Sequence, residues 1–458
     1  MNIKEILKER DPTQGSIIKN IFLMTWPLWI NSGFYLIFWW FNMYWVSRLG
    51  SVALAAVVTG GTAFMLMMTI IQGIVTSTFG LIGNLVGQKD EAGLQNLAKE
   101  ILAVGFILSL IIAAAGYFIA PILLQFIGSS PEVLSSATTY FRIQVLGGTV
   151  TFSLWIINGM IRATGDMGRP MIVIFLMIAL NAIFDPFLIV GIGYTGLGVA
   201  GAALSSVFSA GIGAGIALWF LISGKTTIKI NFKNWSNFRI RFQTIKEIAK
   251  ISVFDTFETS SKVFIDLVLL KFVALYGVAA LAAYGIGQRL LRMSSMFGCD
   301  LATTTAITMS NNLGAGNIKR AEKSSWVATG MNVLIMGIAA VILFVFANQV
   351  LGVFSADPNV IGLGVKYLKI TAPGFIFLAA VTVLRRAFGG AKDTKTPMWI
   401  SFLAYGVFQL GLAWFLPKLF NLEACGIWIA IVVAMVVNGL ILAILFKKGI
   451  WKKEAKTT

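Results

Sequence analysis

The chain holds 458 residues, 57% apolar and only 12% charged, with a formal net charge of +17. Soluble domains carry about 25% charged residues, so this composition marks a membrane protein. Histidine is absent, which excludes histidine triads, H-E-x-x-H metal sites and imidazole proton relays, and the two cysteines, Cys299 and Cys425, sit far apart in apolar runs that indicate neither a disulfide framework nor a zinc cluster.

From Met1 to Lys19 the chain is polar and of mixed charge, and the apolar run that follows has no small-residue cleavage site, so no signal peptide is expected. Charge then becomes scarce. No charged residue occurs between Leu49 and Gln88, between Glu100 and Glu132, or between Val327 and Ala356, and Pro170 to Gly224 contains only Asp185. About 20 apolar residues cross the hydrocarbon core as a helix, whereas a β-barrel would show short alternating segments. Six helical segments are predicted in the first half, at 18–46, 52–84, 95–125, 136–162, 168–191 and 197–223. Six more follow at 247–273, 279–311, 322–350, 363–388, 395–417 and 425–447.

The halves are related by an internal repeat with an offset of about 227 residues. Arg48-Leu-Gly-Ser-Val-Ala-Leu-Ala-Ala56 recurs as Leu275-Tyr-Gly-Val-Ala-Ala-Leu-Ala-Ala283, and Gly50, Gly87, Pro131, Tyr140, Asp166 and Pro170 pair with Gly277, Gly314, Pro358, Tyr367, Asp393 and Pro397. An even number of segments per half makes the repeats parallel. The expected organisation is therefore all-α and polytopic, with a six-helix lobe at 1–223, a basic linker at 224–246 and a second six-helix lobe at 247–458.

Basic residues cluster between spans. The linker from Lys225 to Lys250 is basic, as are the tail after Phe446 and the turns read at Lys319-Arg320, Arg385-Arg386 and Lys392/Lys395. The opposite loops, at Ser129 to Glu132, Ala356 to Asn359 and Gly191 to Gly196, are nearly neutral. The positive-inside rule places both termini and the linker in the cytoplasm of an inner-membrane protein. It also explains the positive charge without nucleic acid as a partner; the lipid bilayer is the expected one, around a monomer. Small residues such as Gly196-Leu-Gly-Val-Ala-Gly-Ala-Ala203 allow close helix packing. The one Gly-Lys-Thr, at Gly224 to Thr226, has Trp219 where a P-loop needs its first glycine, so no ATP site is expected.

Leu180-Asn-Ala-Ile-Phe-Asp-Pro-Phe-Leu-Ile189 followed by Gly198-Val-Ala-Gly-Ala-Ala203 resembles the helix 5 to helix 6 signature of multidrug and toxic compound extrusion (MATE) transporters. Asn311-Asn-Leu-Gly-Ala-Gly-Asn-Ile-Lys-Arg-Ala321 and Lys392-Asp-Thr-Lys-Thr-Pro397 are similar to that family's turns after helices 8 and 10, with Asp166-Met-Gly-Arg-Pro170 as the first-half copy. The resemblance implies 12 transmembrane helices in two pseudo-symmetric lobes around a central cleft, alternating access, and antiport of amphipathic organic cations against protons or sodium. It implies ion or proton binding at Asp185 and Asn181. One branch of the family has a helix 1 aspartate where this chain has Asn42, and another has a helix 7 glutamate that falls near Lys262, between Glu258 and Asp266. That second branch also has a helix 10 acid, and no acid lies here between Asp357 and Asp393.

Ionisable residues at bilayer depth are costly and therefore functional candidates. Asp185 is the lone one in the first half, with Asn181 one turn earlier on the same face as a candidate hydrogen-bond partner. In the second half Asp255, Glu258, Lys262 and Asp266 fall within about 80° of arc on one helix face. Asp300 begins a second polar row with Thr304 and Asn311. For Arg289 and Arg292, snorkelling and ion pairing fit equally. The acids are candidate cation-coupling groups, the second-half cluster a candidate proton reservoir, and Asp185 and Glu258 candidate sodium positions; no other cofactor is expected. Asn42, Lys262, Tyr35 and Trp39 are candidate cleft residues, the aromatics either stacking on a flat cation or belonging to the interfacial belt. An acidic cleft would fit organic cations, and one dominated by Lys262, Arg289 and Arg292 a flippase-like or anionic-substrate transporter on the same fold. No nucleophile–base pair supports an enzyme.

Overall fold

A computed structural model of the chain describes residues 9–128, 130–191, 195–230 and 241–455. Among them all regular structure is helical. The membrane-length segments are α1 (Ile17–Ser47), α2 (Ser51–Gln88), α3 (Glu91–Ile127), α4 (Pro131–Leu146 and Gly148–Ala163, bent by 49°), α5 (Gly168–Val190) and α6 (Gly198–Ile222). They continue as α7 (Phe242–Ala274), α8 (Val278–Gly314), α9 (Ile318–Val345), α10 (Pro358–Gly390), α11 (Lys395–Leu419) and α12 (Ala424–Lys447). These match the twelve predicted segments within a few residues. Nine are apolar enough to cross a membrane on composition alone, and α4 joins them as a bent pair. The other two, α7 and α8, fall short only because they carry the second-half charges, and at 33 and 37 residues both are long enough to span. Ser129, Ile192 to Tyr194, Lys233 and Lys456, which enter the loop-charge count, lie outside the described residues.

The helices pack as two compact units, one of Met1–Asp11 and Phe22–Val253, the other of Pro12–Ile21 and Phe254–Thr458. The boundary lies inside α7, after Val253. Repeat partners occupy equivalent structural roles. Gly50 and Gly277 precede α2 and α8 with φ of 97° and 95° and ψ of 173° and 172°, a conformation open to glycine alone. Pro131 and Pro358 both start helices, where the missing N–H costs nothing. Asp166 accepts the Arg169 N–H at 3.0 Å, and Asp393 accepts the Thr396 N–H at 3.0 Å, each closing the turn before a helix. Burial raises the pKa of Asp166, and the Arg169 N–H and guanidinium work against that. Gly60 and Gly287 let a tyrosine ring lie against the helix backbone: a Cβ there would come within 2.8 Å of Tyr140 and 2.2 Å of Tyr367.

Each unit has its own apolar core. In the first, Ala56, Ala63, Leu124, Phe141 and Val145 meet between α2, α3 and α4. In the second, Tyr284 stacks on Trp428 at 5.7 Å, and Tyr367 meets the same indole edge-on at 4.9 Å. One charge assignment changes. Arg385 and Arg386 do not form a cytoplasmic turn but sit inside α10, upstream of its end at Gly390. Their guanidinium groups face acids of α7, which lets them reside there.

Candidate functional site

In the first unit the site is built on a broken helix. Pro186 has no N–H and its ring crowds the preceding turn, so α5 widens after Asp185 into a π-helical stretch, Pro186–Val190, ended by Gly191 at φ 80°. π-Helical turns of this kind concentrate at functional sites. Asp185 at the break is fully buried. Its Oδ2 accepts from Asn42 Nδ2 of α1 at 2.9 Å and its Oδ1 from Ser205 Oγ of α6 at 2.7 Å. Asn181 does not take the place expected for it: among the described residues no hydrogen bond joins it to Asp185. Its backbone carbonyl lies 3.3 Å from Ser205 Oγ, and its buried side-chain oxygen has no partner. Asn42 and Ser205 fill the carboxylate from neighbouring helices instead. Tyr35 stacks on Trp155 of α4 at 6.5 Å, and Trp39 is about half exposed against Trp40.

The second unit holds an ion-pair network around a cavity. Arg385 Nη1 lies 3.3 Å from Asp255 Oδ1 and 3.6 Å from Glu258 Oε2, and Arg386 Nη1 lies 3.8 Å from Asp255 Oδ1. Ser401 Oγ of α11 donates to Glu258 Oε1 at 2.9 Å and accepts from Asn438 Nδ2 of α12 at 3.3 Å. Ser401, like Asp185, directly precedes a π-helical stretch, here Phe402–Gln409. Glu258, Lys262 and Asp266 all line one cavity of about 340 Å³, with Arg292 and Arg385 in its wall. The predicted charged face of α7 therefore points into the unit. Asp255 is not part of the lining and pairs with Arg385 and Arg386. Asp300 is absent from the lining although its neighbour Cys299 belongs to it, Thr304 is buried, and the buried Asn311 side chain donates to the Ile307 carbonyl of its own helix.

Asn42 and Asp185 are thus brought together in the first unit, and Glu258 and Asp266 line one cavity in the second, which Asp300 does not line. Ser205, Ser401, Asn438, Arg385 and Arg386 are site residues that sequence reasoning missed. Only the arginines carried a signal, being two charges in an apolar run. Among the described residues no group of three His, Cys, Asp or Glu side chains is placed to hold a metal ion. A sodium ion at Asp185 would find oxygen donors in its carboxylate, Ser205 and Asn181, whereas at Glu258 it would displace a guanidinium.

The MatE family profile matches residues 27–187 and 256–415, one copy in each half. A protein of Thermotoga maritima named "Probable multidrug resistance protein NorM" is 26% identical over 390 residues, 82% of this chain and 81% of that one. "Probable multidrug resistance protein YpnP" of Bacillus subtilis is 24% identical over 97% of this chain and 98% of its own length. Among solved structures, a MATE crystal structure in the bent conformation superposes with a TM-score of 0.89 at 21% identity, covering 99% of both chains. A MOP superfamily transporter from Pyrococcus furiosus, described as having a binding pocket of reverse polarity, superposes with a TM-score of 0.88 at 22% identity over 100% of this chain and 99% of the other. With both halves matched, a repeat in register and the same all-helical fold, the chain is a multi-pass membrane protein of the MatE family of multidrug efflux transporters.

Proposed function

We propose that this transporter is a secondary antiporter that exports small amphipathic organic molecules in exchange for a proton or sodium ion, with Asp185 as the coupling group. The observation that carries this is the setting of Asp185: a fully buried carboxylate with two neutral donors, Asn42 and Ser205, and no cationic partner among the described residues. Neutral hydrogen bonds stabilise a carboxylate but do not cancel its charge, and an uncompensated buried charge costs several kcal/mol. A proton or a monovalent cation removes that cost. Binding and release of such an ion then favours one conformation over another by its difference in affinity, which is what coupling requires. In the second unit, by contrast, Asp255 and Glu258 already have guanidinium partners, and Asp266 shares its cavity with Lys262 and Arg292.

Organic cations are the substrates that an acidic transport path would select, and Asp185 supports that class in the first unit. The carrier works as a single chain with the basic linker and both termini in the cytoplasm. Proteoliposomes loaded with ethidium and given an imposed proton or sodium gradient test the proposal. Export is expected under one of the two gradients and lost in Asp185→Asn. Export that needs neither gradient, or that survives in Asp185→Asn, would refute it. Labelling a cysteine placed at Lys233 from the outside would overturn the orientation.

A further inference from the structure

The cavity of the second unit has a charge balance opposite to that expected of a drug-cation pocket. Its wall carries three basic side chains, Lys262, Arg292 and Arg385, against two acids, Glu258 and Asp266. The acid Glu258 is met by Arg385 and by the Ser401 hydroxyl. Asp255, which is not part of the lining, is met by Arg385 and Arg386. Once these pairs are set aside, Lys262 and Arg292 face the cavity with only Asp266 near them. Among the described residues neither makes an ion pair, and both side chains are exposed. Lys262 Nζ sits over the Tyr405 ring at 5.3 Å.

A second observation points to a ligand. Tyr405 lines the same cavity, is 8% exposed, and its hydroxyl is buried without a hydrogen-bond partner. An unpaired buried hydroxyl costs about 1–3 kcal/mol and is normally satisfied by something. Most of the remaining surface is apolar, from residues such as Leu291, Leu378, Val381 and Phe402, with Thr259, Gln288 and Thr382 among the polar side chains between them. Two cations that share one carboxylate, Asp266, beside an unpaired hydroxyl and a mostly apolar wall form a receptor for an acid group on an apolar body.

We propose that this cavity is a subsite for an acid group, so that the molecules the chain accepts include, beside the organic cations favoured at Asp185, amphipathic ones bearing a carboxylate or similar anion, which Lys262 and Arg292 hold next to Tyr405. Their being substrates rests on the exporter function proposed above; the binding itself does not. About 340 Å³ is at the small end of ligand pockets, which fits one or two fused rings with a short acid arm.

The experiment uses a matched pair of probes, 1-naphthylacetate and (1-naphthylmethyl)trimethylammonium, in equilibrium dialysis against the full chain in lipid nanodiscs, with empty nanodiscs subtracted. No ion gradient is present, so the outcome is independent of coupling. The anion is expected to bind at least tenfold more tightly than the cation. Lys262→Ala and Arg292→Ala should each weaken it tenfold or more, Lys262→Arg should retain it, and Tyr405→Phe should weaken it several-fold. Cys299 in the wall gives a second readout in a Cys425→Ala background: the anion, and not the cation, should slow its alkylation. Tighter binding of the cation, or anion binding unchanged in both Lys262→Ala and Tyr405→Phe, would overturn the proposal. Those results would leave gradient-driven export through Asp185 untouched, and export that needs no gradient or survives Asp185→Asn, with anion binding intact, would strike the coupling proposal instead.

Discussion

Replacing Arg385 by methionine tests whether the second-unit network is a structural ion pair. The guanidinium lies 3.3 Å from Asp255 and 3.6 Å from Glu258, whose side chains are 5% and 10% exposed, and is itself 22% exposed. Methionine keeps much of the volume and removes the charge, leaving two nearly buried carboxylates with less compensation. Breaking a buried pair by deleting one partner costs about 3–5 kcal/mol. Arg386 remains 3.8 Å from Asp255, and Arg385 lines the cavity and is partly exposed, so the lower end applies. In a unit of this size each kcal/mol moves the melting temperature by about 2–4 °C, so roughly 3 kcal/mol predicts a fall of about 6–12 °C. Heating the purified protein and following the fraction that stays monodisperse on size-exclusion chromatography measures it. Adding Glu258→Gln to Arg385→Met should recover a large part of the loss, since it removes one of the stranded charges, and the double-mutant cycle isolates that coupling. A melting temperature within 1 °C of wild type for Arg385→Met, or no recovery in the double variant, would refute the ion-pair account.

Three other variants probe features fixed by single residues. Asp185→Asn should keep the Ser205 hydrogen bond, fold normally by size-exclusion chromatography, and lose gradient-driven ethidium export. Gly287→Ala forces a methyl group to 2.2 Å from the Tyr367 ring, which is 1% exposed and has nowhere to swing, so overpacking should cost about 1–3 kcal/mol in thermal stability. Gly60→Ala meets Tyr140 at 2.8 Å and should cost less, and equal melting temperatures for the two would contradict this. Asn158, fully buried with neither amide atom bonded, should be replaceable by leucine with no loss, or with a gain of about 1–3 kcal/mol. Destabilisation by Asn158→Leu would show that a water or ligand group holds that amide.

What the sequence revealed and what it hid follow from the range of the interactions. Helix lengths, the repeat and the charged face of α7 are local or periodic properties, so Gly50 and Gly277, or Asp166 and Asp393, could be paired by counting alone. The partners of the buried acids are not local. Asn42 and Asp185, and likewise Ser401 and Glu258, are 143 residues apart, and Arg385 is 130 from Asp255. Asn181 was the only partner that helical spacing could offer Asp185, and residues brought in by α1 and α6 displaced it. Arg385 and Arg386 look like turn residues because positive charge in an apolar chain ordinarily marks a cytoplasmic boundary; only the acids packed opposite them make bilayer depth tolerable. The same offset that exposes the repeat also locates its asymmetry. Glu258 and Arg385 correspond to Asn31 and Asn158, two buried amides with no hydrogen-bond partners among the described residues. One ancestral position pair thus carries a full ion pair in the second unit and neutral amides in the first. The first unit instead keeps a fully buried acid, Asp185, with neutral donors. Charge has been concentrated in the second unit where arginines can balance it, whereas among the described residues the Asp185 carboxylate of the first unit is met only by the neutral donors Asn42 and Ser205.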